Sequence, residues 1–238
     1  MYDAAEKSLS EGDYREALEG YGRVIEEFPG SSFAAKSQYR IAGIYDRHLG
    51  GTDRALEAYS EVRYMYPDTP EARLASAAMA GISSRGGDHK KAVEEYQLLL
   101  DGPAPERLAY RRLIAAEYVM MNDFRQARIE YEELAASEGL PAELVPEILY
   151  QIASTYYISG QAIEAARRFD EIIRKYPEAD IVMEARLGKG NALAEAGRTG
   201  EALDILRSLE REYPNKEALK TRIEWLERTL KEGPQGQR

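Results

Sequence analysis

One pattern recurs six times along this chain and constrains its fold more than any other feature. At its first appearance it reads Gly12-Asp13-Tyr14-x-x-Ala17-x-x-x-Tyr21-x-x-Val24-x-x-x-Phe28-Pro29. Aligned on the alanine, the copies fall at Ala17, Ala55, Ala92, Ala127, Ala165 and Ala202, at spacings of 38, 37, 35, 38 and 37 residues. Four residues after each stands Tyr21, Tyr59, Tyr96, Tyr131, Phe169 or Leu206. Self-similarity at such a period is the mark of small supersecondary units that bury their apolar faces only against their neighbours.

Within each copy the alanine, the aromatic and the next apolar residues recur at i, i+4, i+7 or i+8, and i+11. That is one stripe of an amphipathic helix. Its end is set by Phe28-Pro29, Tyr66-Pro67, Tyr176-Pro177 and Tyr213-Pro214, because proline cannot continue a helix and disfavours helical geometry in the residue before it. Its start is set by turn residues: Gly12-Asp13, Gly51-Thr52-Asp53, Gly87-Asp88, Asn122-Asp123, Gly160 and Gly197. Between each ending and the next turn lies room for a first helix, over about 33–48, 71–84, 106–121, 147–159 and 181–196. These carry small residues, Ala5, Ala42, Ala80, Ala115, Ala153 and Gly190, twelve or thirteen positions before the recurring alanine. Small residues facing small residues let two helix backbones approach closely, so the expected unit is a helical hairpin. Composition agrees: helix formers are abundant and 31% of residues are charged.

With a small residue and often a tyrosine in the first helix, an alanine and an aromatic in the second, and a closing proline, the sequence resembles the tetratricopeptide repeat family. The resemblance runs from Met1 to about Pro214. It implies an all-α, right-handed α-solenoid of about six hairpins, with copies over 1–30, 31–68, 69–104, 105–141, 142–178 and 179–214. Residues 215–231, with Leu219, Ile223, Leu226 and Leu230 on one face, read as a helix capping the last apolar side, and 232–238 as a disordered tail. The third and fourth copies depart from the pattern, ending in Gly102-Pro103-Ala104-Pro105 and Glu138-Gly139-Leu140-Pro141. Periods above the family's usual 34, with endings such as Lys175-Tyr176-Pro177, look like the bacterial envelope branch: the outer-membrane assembly lipoprotein and the Tol-Pal repeat protein.

The chemistry of an enzyme is not legible. A formal charge of −10 disfavours phosphate backbones, so no nucleic-acid partner is expected. With no cysteine, thiolate catalysis and Cys-ligated zinc are excluded, and no cofactor, metal or catalytic residue is expected. His48 and His89 fall near turns and read as solvated surface groups, as do acidic pairs such as Glu26-Glu27, Glu94-Glu95 and Glu132-Glu133. Gly188-Lys189-Gly190 fits neither phosphate-loop spacing. The polar segment Met1 to Ser10 is no signal or transit peptide, which leaves open a signal upstream of it. The most apolar stretch, Leu113 to Met121, is far short of the roughly 20 residues that span a bilayer.

Of seventeen tyrosines, ten occupy recurring positions and Tyr14 a turn; Tyr2, Tyr39, Tyr64, Tyr110, Tyr150 and Tyr157 do not. In the family the first helices line the concave side, where partner peptides lie. Three residues before the small position stand Tyr39, Ala77, Arg112, Tyr150 and Leu187, and one after it Gly43, Gly81, Ala116, Ser154 and Asn191. The expected partner-facing residues are therefore Tyr39, Arg112, Tyr150, Tyr157 and Asn191, on a groove suited to a helix or extended peptide. The competing expectation for Tyr39 and Tyr150 is packing against neighbouring copies. The expected function is a non-catalytic scaffold binding a protein or peptide; the alternative is self-assembly into a homo-oligomer. The expected location is the bacterial periplasm or envelope, with the cytoplasm as alternative.

Overall fold

The computed structural model describes residues 1–232, which form an all-α fold, 78% helical and without a strand among the described residues. Two compact units are present. The first, Met1–Glu117, holds the hairpins α1 (Tyr2–Glu11) with α2 (Tyr14–Glu27), α3 (Ser32–Arg47) with α4 (Thr52–Met65), and α5 (Pro70–Arg85) with α6 (His89–Gln97). It also takes most of α7 (Ala104–Met120). The second, from Tyr118 on, holds α8 (Phe124–Ala135), the hairpins α9 (Val145–Ile158) with α10 (Ala162–Lys175) and α11 (Val182–Glu195) with α12 (Thr199–Ser208), and α13 (Lys216–Glu232). Glu232, expected in the tail, ends α13; 233–238 lie outside the described residues.

The turns explain where helices begin. Five residues before each recurring alanine the backbone has positive φ, at Gly12, Gly50, Gly87, Asn122, Gly160 and Gly197, from 58° at Asn122 to 83° at Gly12. That left-handed geometry costs glycine nothing and asparagine little. In the second copy it falls on Gly50, one position before the turn marked in the sequence. The next residue, Asp13, Asp88 or Asp123, then accepts from the backbone N–H three residues on at 3.1 or 3.2 Å, satisfying a donor the helix leaves open.

All six recurring alanines are 0% exposed, which fixes the register of the second helices. Ala17 shares a buried cluster with Ala5, Ala55 with Ala42, and Ala165 with Ala153, the pairs of small residues that bring first and second helices together. A Cβ added at Gly20 would stand 2.8 Å from that of Ala5, a measure of how closely α1 and α2 approach. Tyr21, Tyr59 and Phe169 are buried beside these contacts, each contributing about 1.5–3 kcal/mol of apolar burial.

The two irregular endings have local causes. After the short α6, Arg73 donates to the Leu99 carbonyl at 3.0 Å and to Asp101 at 2.7 Å, pinning the loop while Leu99 stays buried. After α8 the chain turns at Gly139 (φ 84°) and enters α9 through a 3-10 turn over Ala142–Leu144.

The first two hairpins are joined by a charged network. Glu6 on α1 accepts from Arg40 on α3 at 2.7 and 3.0 Å and from the Tyr21 hydroxyl of α2 at 2.5 Å. Burial alone would raise the Glu6 carboxyl, but the bonds from Tyr21, Arg40 and Tyr2 more than offset it and hold it below its ordinary 4.5. A depressed carboxyl contributes stability above its unfolded pKa and loses it as pH falls through the folded value. Glu6→Gln is therefore expected to cost about 1–2 kcal/mol at neutral pH, a gap from wild type that narrows as pH falls below the ordinary 4.5. Urea midpoints across that range check this; a gap independent of pH contradicts it.

Candidate interaction surface

In the first unit the surface begins with Tyr39 on α3. Its ring lies 5.5 Å from that of Tyr59, so half of it belongs to the core and half to the surface. Burial first, then the neighbouring Tyr39 and Asp46, push the Tyr59 hydroxyl up to about 12. Gly43, one turn after Tyr39, lies under Arg47: a Cβ there would meet the guanidinium at 2.9 Å. Asp46 reaches across to Arg85 of α5 at 2.8 Å. On α7, Tyr110 stacks on Tyr96 at 5.9 Å and Arg112 is exposed. No hydrogen bond or ring contact joins Tyr39 to Arg112.

In the second unit, the Tyr150 ring of α9 lies 5.5 Å from that of Phe169, and burial raises the Tyr150 hydroxyl. Tyr157, two turns on, donates to Glu195 of α11 at 3.4 Å. Asn191 of α11 accepts from Arg222 Nε of α13 at 3.2 Å, and that guanidinium lies 4.9 Å from the Trp225 ring. The Tyr157 hydroxyl lies in the field of both Glu195 and Arg222. Tyr157 and Asn191 thus stand in one polar-aromatic patch with Trp225, the chain's one tryptophan, and with Glu195 and Arg222, which the sequence does not mark. Periodicity assigns α13 to capping, and nothing in the pattern marks Arg222 as reaching α11.

The ring contacts of Tyr39 and Tyr150 lie within their own hairpins, where the competing expectation had packing against neighbouring copies. Tyr2, Tyr39 and Tyr150 occupy the same place three residues before the small position, and each leans on the second-helix aromatic of its own hairpin: Tyr21 at 5.7 Å, Tyr59 and Phe169. Two surface readings need correction. His89 is not a solvated turn residue: its Nδ1 lies 2.7 Å from Glu117 Oε2, and Glu117 is only 5% exposed. A carboxylate inside the apolar stretch of α7 is buried at great cost without such a partner. Glu95 likewise is mostly buried, taking Arg63 at 2.6 Å. His48 is exposed, with its ring stacked on Tyr14 at 4.4 Å.

Gly188-Lys189-Gly190 lies inside α11. A Cβ at Gly188 would come 2.7 Å from the Phe169 ring, and one at Gly190 2.7 Å from Leu206, while Lys189 pairs with Asp170 at 2.7 Å. These glycines serve helix packing. No helix among the described residues is long and apolar enough to cross a membrane.

None of the curated proteins matches this sequence. Among solved structures, the chain is similar to a tetratricopeptide repeat protein from Parabacteroides merdae (TM-score 0.61, 16% identity, covering 95% of this chain and 85% of that one). It is similar to the C-terminal part of a TPR repeat-containing protein from Cytophaga hutchinsonii (TM-score 0.64, 18% identity, 89% and 78%). A third is YrrB, described as a TPR protein with an unusual peptide-binding site (TM-score 0.58, 16% identity, 86% and 98%). Two family models, both of the tetratricopeptide repeat, match residues 150–217 and residues 1–31 and 36–69, together more than half of the chain. With the buried alanine register and the hairpin order, these matches make the chain a member of the tetratricopeptide repeat family.

Proposed function

We propose that this chain is a non-catalytic scaffold that binds a helix or extended peptide of another protein on the first-helix faces of its hairpins. Tyr39 and Arg112 would meet the partner on the first unit, and Tyr150, Tyr157 and Asn191 on the second. The observation that carries this reading is the patch on α9, α11 and α13. There a half-buried tyrosine is held by Glu195, and an arginine stacked on the half-exposed Trp225 is held by an asparagine. Aromatic and arginine side chains fixed before binding lose little entropy when a partner arrives, and these residue types dominate binding hot spots. A peptide-binding site is also what YrrB, of the same fold, is described as having.

The test is to select peptides from a random library on the wild-type chain and re-measure them on a Tyr157→Ala, Arg222→Met double variant. These side chains leave the Tyr150–Phe169 contact intact, so melting temperature should change little. Affinity should fall by about 2 kcal/mol or more. Undiminished binding contradicts the reading. Selection that yields no peptide, together with concentration-dependent growth in mass by light scattering, would favour the alternative of self-assembly. We further propose a place in the bacterial cell envelope, supported by the repeat period and the aromatic-proline endings; fractionation of the source cells tests it.

A further inference from the structure

One cluster of the second unit takes no part in the tyrosine-bearing face. Tyr156 of α9 is flanked by two guanidiniums, that of Arg128 from α8 at 4.4 Å from the ring centroid and that of Arg168 from α10 at 5.5 Å. Each is attracted to the ring, but two cations beside one ring repel each other, and their charges are not balanced alike. Arg168 Nε donates to Glu164 at 2.8 Å, and Arg167 takes both oxygens of the same carboxylate at 2.7 and 2.9 Å. Glu171 lies 3.9 Å from Arg168 and is held more closely by Lys175, at 2.6 Å. Arg128 has no carboxylate within 4 Å among the described residues, and its Nη1 is shut off from water without a hydrogen-bond acceptor.

An unmet buried donor is costly, and more so on a charged group. Packing against Tyr156 holds the Arg128 stem and plane, so the cost persists in the free protein, and an acceptor relieves it by opening the packing that closes Nη1 off from water. The guanidinium fork matches the two oxygens of a carboxylate or two of a phosphate, and is less strongly hydrated than an ammonium. We propose that Arg128 and Arg168, aligned on Tyr156, form an oxyanion-binding site on the second helices of this unit. This site lies on α8 and α10, apart from the α9–α11–α13 patch, and stands or falls independently of it.

Calorimetric titration of the full chain at constant ionic strength tests this. The probes are inorganic phosphate and a short diglutamate peptide blocked at both ends. The wild-type chain should bind at least one of them saturably, one per chain. Phosphate alone would identify a tetrahedral anion as the source and the peptide alone an acidic side chain. Arg128→Met keeps the stem on Tyr156 and removes the donors; it should weaken binding about tenfold or more. Arg174→Met, which removes a charge from elsewhere on α10, where it pairs with Asp170, should change it less than about twofold. Should Arg128→Met fail to fold, as read by circular dichroism, Arg168→Met carries the same expected loss. No saturable binding by the wild type, full binding by the arginine variants, or an equal loss in Arg174→Met overturns the proposal.

Discussion

Replacing Phe169 by Ala is expected to destabilise the second unit by about 3–5 kcal/mol. The ring is 2% exposed and sits in one cluster with Ala153, Ala165 and Ile172. It supports the Tyr150 ring at 5.5 Å and fills the space above Gly188. Truncation therefore removes apolar burial and leaves a cavity bounded by α11, which cannot collapse without moving a helix. A coupled substitution tells whether this geometry is the cause. In the wild-type background Gly188→Ala gains up to about 1 kcal/mol of helix propensity. It also drives a Cβ to 2.7 Å from a buried ring, so the net effect should be destabilising. With Phe169 already Ala, the clash is gone and the same glycine substitution should stabilise. Urea denaturation of the four proteins closes the cycle; a Gly188→Ala effect of one sign in both backgrounds would show that the two residues do not touch.

Ala165→Leu is expected to cost about 1–3 kcal/mol. Ala165 is 0% exposed and shares one buried cluster with the equally buried Ala153 of α9. Three added carbons must push the helices apart or force a strained rotamer, and either change loosens Phe169 one turn further on. Leucine is as good a helix former as most residues, so the loss would come from packing and not from propensity. An unchanged denaturation midpoint would mean that the recurring alanine does not mark the helix crossing.

The periodic part of the molecule was legible in the sequence because each contact there is made by residue type at fixed spacing. Ala165 and Phe169 lie on the predicted stripe, and the first helices begin and end within two residues of the predicted bounds for α3, α5, α7, α9 and α11. What the spacing did not show are contacts that each occur once. Glu6 meets Arg40 and Asn191 meets Arg222 across about one repeat, and His89 meets Glu117 across 28 residues. Glu6 and Asn191 share one register, just after the small residue, but the residue type there changes from copy to copy, so no periodicity announces the pairs. Their signal is weaker: a charged residue, Glu117, standing where its neighbours are apolar. The tyrosines were half legible. Carrying the position of Tyr39 and Tyr150 back into the first copy lands on Tyr2, and three aromatics at one register lean on three second-helix aromatics. That regularity is structural, which is why Tyr157, Asn191 and Arg222 are the better probes of binding in the second unit.

The most direct measurement is amide hydrogen exchange of the chain with and without a saturating selected peptide. Slowed exchange should concentrate on first helices, with α9 and α11 and the adjoining α13 foremost, while α10 and α12 change little. Protection confined to α8, α10 and α12, or spread evenly over all helices, would contradict recognition on the first-helix faces.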